Sequence, residues 1–208
     1  MDSKRAILDK LSSTPSLVLD SPESDFLHVV PNVSNNPEEM LTRFITEAEK
    51  LICKIHQVTD EEEAIEEILT LVEGEEKILG WSLDEIGLPS LEPALNAKNI
   101  HVDTSPNPEA RYGVTGVDAA LAATGSIILS SGAGKPRVAS LLPLVHIAVL
   151  RSEKIIQDLE SWVAHQENLT EPSNIFVISG PSKTADIAME LVMGMHGPQE
   201  IHIILIET

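Results

Sequence analysis

An α/β fold with a mainly parallel sheet, covered by helices on both faces, is predicted by three features of this 208-residue sequence. Short apolar runs begin near Lys77, Ile100, Ser126, Val145, Ile175 and Ile201, and most are separated by helix-length segments. Hydrophobic residues make up 42% of the chain but aromatics only 3%, so one core of Leu, Ile, Val and Ala is expected. Two of the apolar runs end directly in glycine-bearing bends, Ser131-Gly132-Ala133-Gly134 and Ser179-Gly180-Pro181, and ligands of open α/β sheets gather beyond the carboxyl ends of strands.

Residues 1–36 are expected to form a mobile arm with a short amphipathic helix between Ser3 and Leu11, because Pro15 and the Ser21-Pro22 pair break any longer element. The remainder, 37–208, reads as one α/β domain, with N-terminal helices over 37–73 and the sheet core over 77–208. Pro37 suits a first helical position, and Met40, Leu41, Phe44, Ile45, Ala48, Leu51, Ile52 and Ile55 recur at helical spacing. The acids from Asp60 to Glu63 sit where the dipole of a second helix favours them.

Lys77 to Trp81 and Asn99 to Asp103 read as strands, with a helix from Pro89 to Ala97 between them. The alanine-rich stretch from Gly113 to Gly125 reads as a turn and a helix, and a strand follows from Ser126 to Ser130. A helix is expected to start at Pro136, a strand to run from Leu144 to Leu150, and a helix to follow from Arg151 to His165. Ile175 to Ile178 reads as a buried strand breaking into a helix capped by Ser182, and Glu200 to Glu207 as a central final strand.

Charge and cysteine usage narrow the function. A net charge of −19, from 33 acidic and 14 basic residues, disfavours nucleic acid and anionic membranes. The amino terminus lacks the apolar stretch of a signal peptide, and no apolar run approaches a membrane span. The lone Cys53 excludes an internal disulfide, fits a reducing cytoplasm, and rules out an iron-sulfur cluster ligated by cysteines of this chain alone. His146, within an apolar strand, reads as a packed residue with one hydrogen bond, and no histidines have metal-motif spacing.

An anion site is the chemistry the bends suggest. Amides at a helix start beside Ser182, Lys183 and Thr184 would attract a negative group, and Lys135 and Arg137 offer a second cradle near Gly134. The Ser179-Gly180 bend lacks the second glycine of a nucleotide-binding P-loop, which leaves a carboxylate, a phosphate or another modest anion. If both bends reach the same sheet edge, they can surround one ligand. The alternative is that the bends only cap helices.

GVTGVDAALAATGSIILSSGAGKPRVASLLPLVHIAV (Gly113 to Val149), with SGPSKTADI (Ser179 to Ile187) and GMHGP (Gly194 to Pro198), resembles the lactate utilization protein C family, also called the LUD domain. That resemblance implies a fold similar to the ribose-phosphate isomerase, glucosamine-phosphate deaminase and CoA-transferase group, a Rossmann-like three-layer αβα domain with a helical N-terminal segment before it. It also implies a place in L-lactate oxidation beside iron-sulfur partner proteins, which would carry the clusters, leaving this chain without a cofactor. The motif positions it carries over are Thr115, Gly116, Asp118, Thr124, Gly125, Ser131, Gly132, Gly134 and Arg137, then Ser179, Gly180, Ser182, Lys183, Thr184 and Asp186.

Many relatives have a glutamate immediately before the Thr-Gly pair, and Ala123 stands there in this sequence, removing the obvious carboxylate nucleophile. Asp118 and Asp186 are the remaining candidate acids, each equally able to cap a helix start. The leading expectation is an accessory subunit that binds a small anion. A stand-alone enzyme on a small phosphorylated or acyl substrate, CoA-like or folate-like, and a scaffold without a ligand are the alternatives, and the sequence leaves monomer and homo-oligomer open.

Overall fold

The computed structural model describes residues 10, 33–166, 172–185, 191–194 and 196–207. Most of the expected N-terminal arm, including the amphipathic helix apart from Lys10, lies outside the described residues. Residues 1–31 and 32–208 separate into two units, and the fold below is that of the second.

Helix α1 (Pro37–Lys50) starts where Asn36 accepts hydrogen bonds from the Glu38 and Glu39 amides, with Pro37 in the first turn. It does not continue to Ile55 as its apolar spacing suggests. Ile52 turns into the left-handed region (φ 70°), and the Cys53 amide closes the helix on the Ala48 carbonyl. The next residues form β1 (Lys54–Val58), so the sheet begins inside the segment expected to be helical. Helix α2 (Glu61–Leu71) is capped by Asp60 at the Glu63 amide, and the Glu63 carboxylate reaches back to the Thr59 amide.

The strands β2 (Lys77–Gly80) and β3 (His101–Asp103) are separated by α3 (Leu83–Ile86) and α4 (Leu91–Ala97). β4 (Tyr112–Gly116), β7 (Val145–Arg151) and β12 (Glu200–Ile206) then complete a six-stranded, all-parallel sheet in the order β1-β12-β7-β4-β2-β3. The α/β class and the mainly parallel central sheet are therefore as expected. Helix α2 covers the face that carries His56 and His202, and α4 packs against it. The one-turn helix α5 (Val138–Leu141) covers the other face, where Gly113 leaves no room for a Cβ beside the Ala139 carbonyl.

The alanine-rich stretch is not a helix. It forms β4 and β5 (Ala119–Leu121), and every residue of β5 is buried. Alanine has no strong objection to a strand when both sides are covered, and pairing outweighs its helical propensity. β5 joins β6 (Ser126–Ser131), β8 (Ile155–Ile156) and β9 (Asn174–Ile178) in a second, four-stranded sheet, so the two strands that lead into the glycine bends do not belong to the parallel sheet.

Two further helices are revised. The segment expected to be helical from Arg151 is a 3-10 turn (Ser152–Lys154), then β8, and only afterwards a short helix α6 (Leu159–Ala164), capped by Asp158 at the Ser161 amide. No helix starts at Ser182. Lys183–Ala185 is strand β10, paired antiparallel with β11 (Leu191–Met193). β9 itself is half-exposed rather than buried, with Val177 44% accessible, because it forms an edge of the smaller sheet.

The core is aliphatic as composition requires, and Phe44 and Trp81 are the large aromatic side chains fully buried within it. Leu, Ile and Val from β2, β7 and β12 pack there with apolar residues of α1, α2 and α4. Among the described residues no helix is long and apolar enough to cross a membrane.

Candidate functional site

The parallel sheet has a topological switch between β2 and β4. From β2 the chain leaves for β3 at one edge, whereas from β4 it leaves through the second sheet for β7 on the other side. Diverging connections open a crevice beyond the carboxyl ends of such strands. The residues that follow β2 and β4, Trp81-Ser82 and Val117-Asp118, stand on either side of it.

Asp118 is fixed there by three donors. Its Oδ2 accepts from the Ser130 amide at 2.5 Å and the Ser130 hydroxyl at 2.7 Å, and its Oδ1 accepts from Lys135 Nζ at 2.9 Å. Asp118 does not cap a helix; it ties the end of β4 to the end of β6. Lys135 also lies 3.5 Å from Glu85 and 4.8 Å from the centre of the Trp81 ring, so its charge is held between two carboxylates and an aromatic face.

Lys154, in the turn after β7, is an exposed residue whose ammonium turns inward to donate to the Val117 carbonyl at 2.6 Å. Among the described residues no carboxylate lies within ion-pair distance of it. Burial of the ammonium pushes the Lys154 pKa down, helped by the Lys135 and Arg151 charges and opposed by Asp118 and Glu153. Arg151, by contrast, is occupied by Glu61 and by the Gly87 carbonyl.

Two glycines make the crevice narrow. A Cβ at Gly116 would stand 2.8 Å from the Glu85 carbonyl, and one at Gly134, which has φ 73°, would stand 2.5 Å from Ser82 Oγ. The Ser82 amide donates to the Gly134 carbonyl at 2.7 Å, which draws the Gly132–Lys135 bend against the end of β2. Backbone thus approaches backbone where a side chain would not fit.

The second glycine bend is elsewhere. β6 and β9 run antiparallel, with Ile127 opposite Ile178 and Ser131 opposite Asn174, so the bends that follow Ser131 and Ile178 leave opposite ends of the pair. Ser179 Oγ lies 2.8 Å from Ser126 Oγ, and the Ser182 amide donates to the carbonyl of Pro198, just before β12. Lys183 influences Cys53, just before β1. These contacts put Ser179, Gly180, Ser182 and Lys183 at the amino-terminal rim of the parallel sheet, opposite Asp118 and Lys135. The expected shared pocket does not form, because the strands feeding the bends are antiparallel neighbours.

The remaining candidates divide accordingly. Gly125 and Gly180 both press on the last turn of α1: a Cβ at Gly125 would overlap the Ala48 amide, and one at Gly180 would stand 2.5 Å from the Leu51 carbonyl. Thr124 hydrogen-bonds Ser126, beside the same turn. Thr115 is fully buried with His146, its Oγ1 2.9 Å from Nε2, and is unavailable to a ligand. Ser131 is buried, Gly132 pairs with Lys135 in the bend, and Arg137 is exposed at the start of α5. The backbone of Thr184 lies in β10, while its side chain and Asp186 lie outside the described residues.

Trp81, Glu85, Ser130 and Lys154 are site residues that sequence reasoning missed. The helix expected from Arg151 to His165 gives Lys154 no place at a strand end, whereas the structure puts it in the 3-10 turn that follows β7. The flanking clefts do not suit anions. One of about 480 Å³ beyond β7 and β12 presents Glu38, Glu153 and Glu207, and one of about 650 Å³ beside the starts of β2 and β3 presents Glu66, Glu73, Glu75 and Glu76. Among the described residues no group of acidic, histidine or cysteine side chains could hold a metal ion.

A parallel α/β sheet with charged side chains gathered at its switch point defines a broad class of ligand-binding and catalytic domains. Within that class the chain belongs to the LUD domain family, whose model matches residues 41–206. It is 42% identical over 106 residues to a lactate utilization protein C of Halalkalibacterium halodurans, covering 48% of this chain and 45% of that one. A lactate utilization protein C of a Geobacillus species is 34% identical over 131 residues, covering 61% and 53%. An uncharacterised protein of Neisseria meningitidis serogroup B is 40% identical over 97 residues, covering 45% and 41%. The matches span about half the length of these curated relatives. The crystal structure of a DUF162 family protein from Deinococcus radiodurans has the same fold, with a TM-score of 0.60, 23% identity, and coverage of 83% of this chain and 99% of that one.

Proposed function

We propose that this chain is an accessory, ligand-binding subunit of a lactate-utilization system, and that it binds a small carboxylate at the carboxyl rim between Lys135 and Lys154. The observation that carries this reading is the pair of ammonium groups at the sheet's switch point in a protein of net charge −19. Asp118 and Glu85 hold Lys135 in place, while Lys154 has no ion pair among the described residues, so a carboxylate bound here takes its counter-charge from Lys154. The names of the relatives give the ligand class its direction, since lactate and pyruvate are small carboxylates. The reading keeps redox chemistry in cytoplasmic iron-sulfur partners and gives this chain, with its lone buried Cys53, no cluster of its own.

Calorimetric titration of the purified chain with lactate, pyruvate and inorganic phosphate tests the site. Binding of one carboxylate should raise thermal stability by roughly 2.7 kcal/mol at a hundredfold excess over Kd, and Lys135→Ala should abolish that gain. Affinity purification from cells grown on lactate should recover iron-sulfur proteins. No carboxylate binding at all would reject the ligand, and an absence of cluster proteins would reject the partnership.

A further inference from the structure

We propose that Lys154 is an amine nucleophile that captures a small 2-oxo acid as an imine, a role that rests on the carboxylate-binding reading above. Several observations converge on it. The Lys154 ammonium donates a hydrogen bond to the Val117 carbonyl at 2.6 Å, and among the described residues no carboxylate lies within ion-pair distance of it. Lysines become nucleophilic when they are partly desolvated, and burial of the ammonium acts on Lys154 in that direction, with Lys135 and Arg151 adding to it against the opposing charges of Asp118 and Glu153. Asp118, the residue after its anchor, is held rigidly by Ser130 and Lys135.

The chemistry selects the partner. A free amine reacts with an aldehyde or ketone, and Lys135 beside it favours a carbonyl compound that also carries an anionic group. The crevice is tight, because α3 packs against the end of β4 with no room for a Cβ at Gly116, so the compound is small. A 2-oxo acid, the oxidation product of a 2-hydroxy acid, combines these properties. The Lys154 ammonium first gives one proton to Asp118, the free amine nitrogen bonds to the ketone carbon, and a second nitrogen proton passes to the former carbonyl oxygen to give the carbinolamine. Asp118 then returns its proton to that hydroxyl, which leaves as water, and the nitrogen keeps its last proton in the protonated imine. No electrons are gained or lost.

Incubation of the full chain with pyruvate and sodium borohydride, followed by intact-mass measurement and peptide mapping, reads the imine as an irreversible secondary amine. One reduced adduct on Lys154 is expected, with none when lactate replaces pyruvate and none in Lys154→Arg, whose folding is checked by its melting temperature. Calorimetric pyruvate binding by the wild type without any adduct would overturn the imine and leave the carboxylate site standing. Adducts spread over several lysines, or confined to another one, would also overturn it. Neither adduct nor binding would overturn both readings.

Discussion

Ile52 shows how a single residue can work against its own conformation. A β-branched side chain at φ 70° is strained by contact of its Cβ with the following carbonyl, and this side chain is 56% exposed, so it recovers little by packing. Ile52→Gly should therefore raise stability by about 1 kcal/mol in urea unfolding. A loss would mean that the exposed isoleucine makes contacts that outweigh its strain. Thr115 presents the opposite case. It provides the one hydrogen bond of the fully buried His146, whose Nδ1 has no partner. Thr115→Val should cost about 1–3 kcal/mol by stranding the imidazole, while Thr115→Ser should restore most of it. Equal losses in both variants would assign the cost to packing of the threonine methyl group instead.

At the scale of elements, the last turn of α1 is the piece on which two family motifs meet. The Thr124-Gly125 and Ser179-Gly180 segments are far apart in sequence, yet both glycines have positive φ and both lie against α1 backbone near Ala48 and Leu51. Their glycines are explained by close approach of backbone to helix, without any ligand. Gly125→Ala and Gly180→Ala should each lower stability by about 2–4 kcal/mol, within the range of severe packing defects, while leaving carboxylate binding at the opposite rim intact once the variants are folded. Lost binding in a folded Gly180→Ala protein would restore the shared-pocket arrangement that the strand register contradicts. The rim site, in turn, was only half legible. Asp118 and Lys135 stood inside a readable motif, but Trp81, Glu85 and Lys154 come from connections whose positions depend on which strands pair.

For the molecule as a whole, the response to acid follows from its histidines. Burial holds the His146 pKa down at about 3, and it also lowers that of His202, against the pull of Glu200. His202 lies 2.9 Å from His56, with Glu67 beside His56, and Glu200 bridges His202 to Lys54, so among the described residues the charged partners of the pair come from α2, β1 and β12. The unfolded chain binds protons at these imidazoles below about pH 6.5, whereas the native state resists them. The contribution of neutral His146 is therefore complete above that pH and is lost as pH falls toward 3, at up to about 1.4 kcal/mol per unit. Chemical denaturation between pH 7 and 4 should show stability falling more steeply in the wild type than in His146→Leu. Parallel curves would show that His146 is protonated in the folded protein.

Local pattern was enough for the α/β class, the aliphatic core and the approximate positions of the strands near Lys77, His101, Ser126, Val145, Asn174 and Glu200, because apolar runs and breakers act over a few residues. It also exposed the family motifs. Long-range contacts settle that Lys54–Val58 leaves the helical pattern to pair with β12, that the alanine-rich stretch is extended, and that β6 and β9 pair antiparallel in the second sheet. Those outcomes depend on partners distant in the chain, and burial against them outweighs local propensity. The same long-range pairing put the two glycine bends on opposite rims, where no local pattern could reveal the separation.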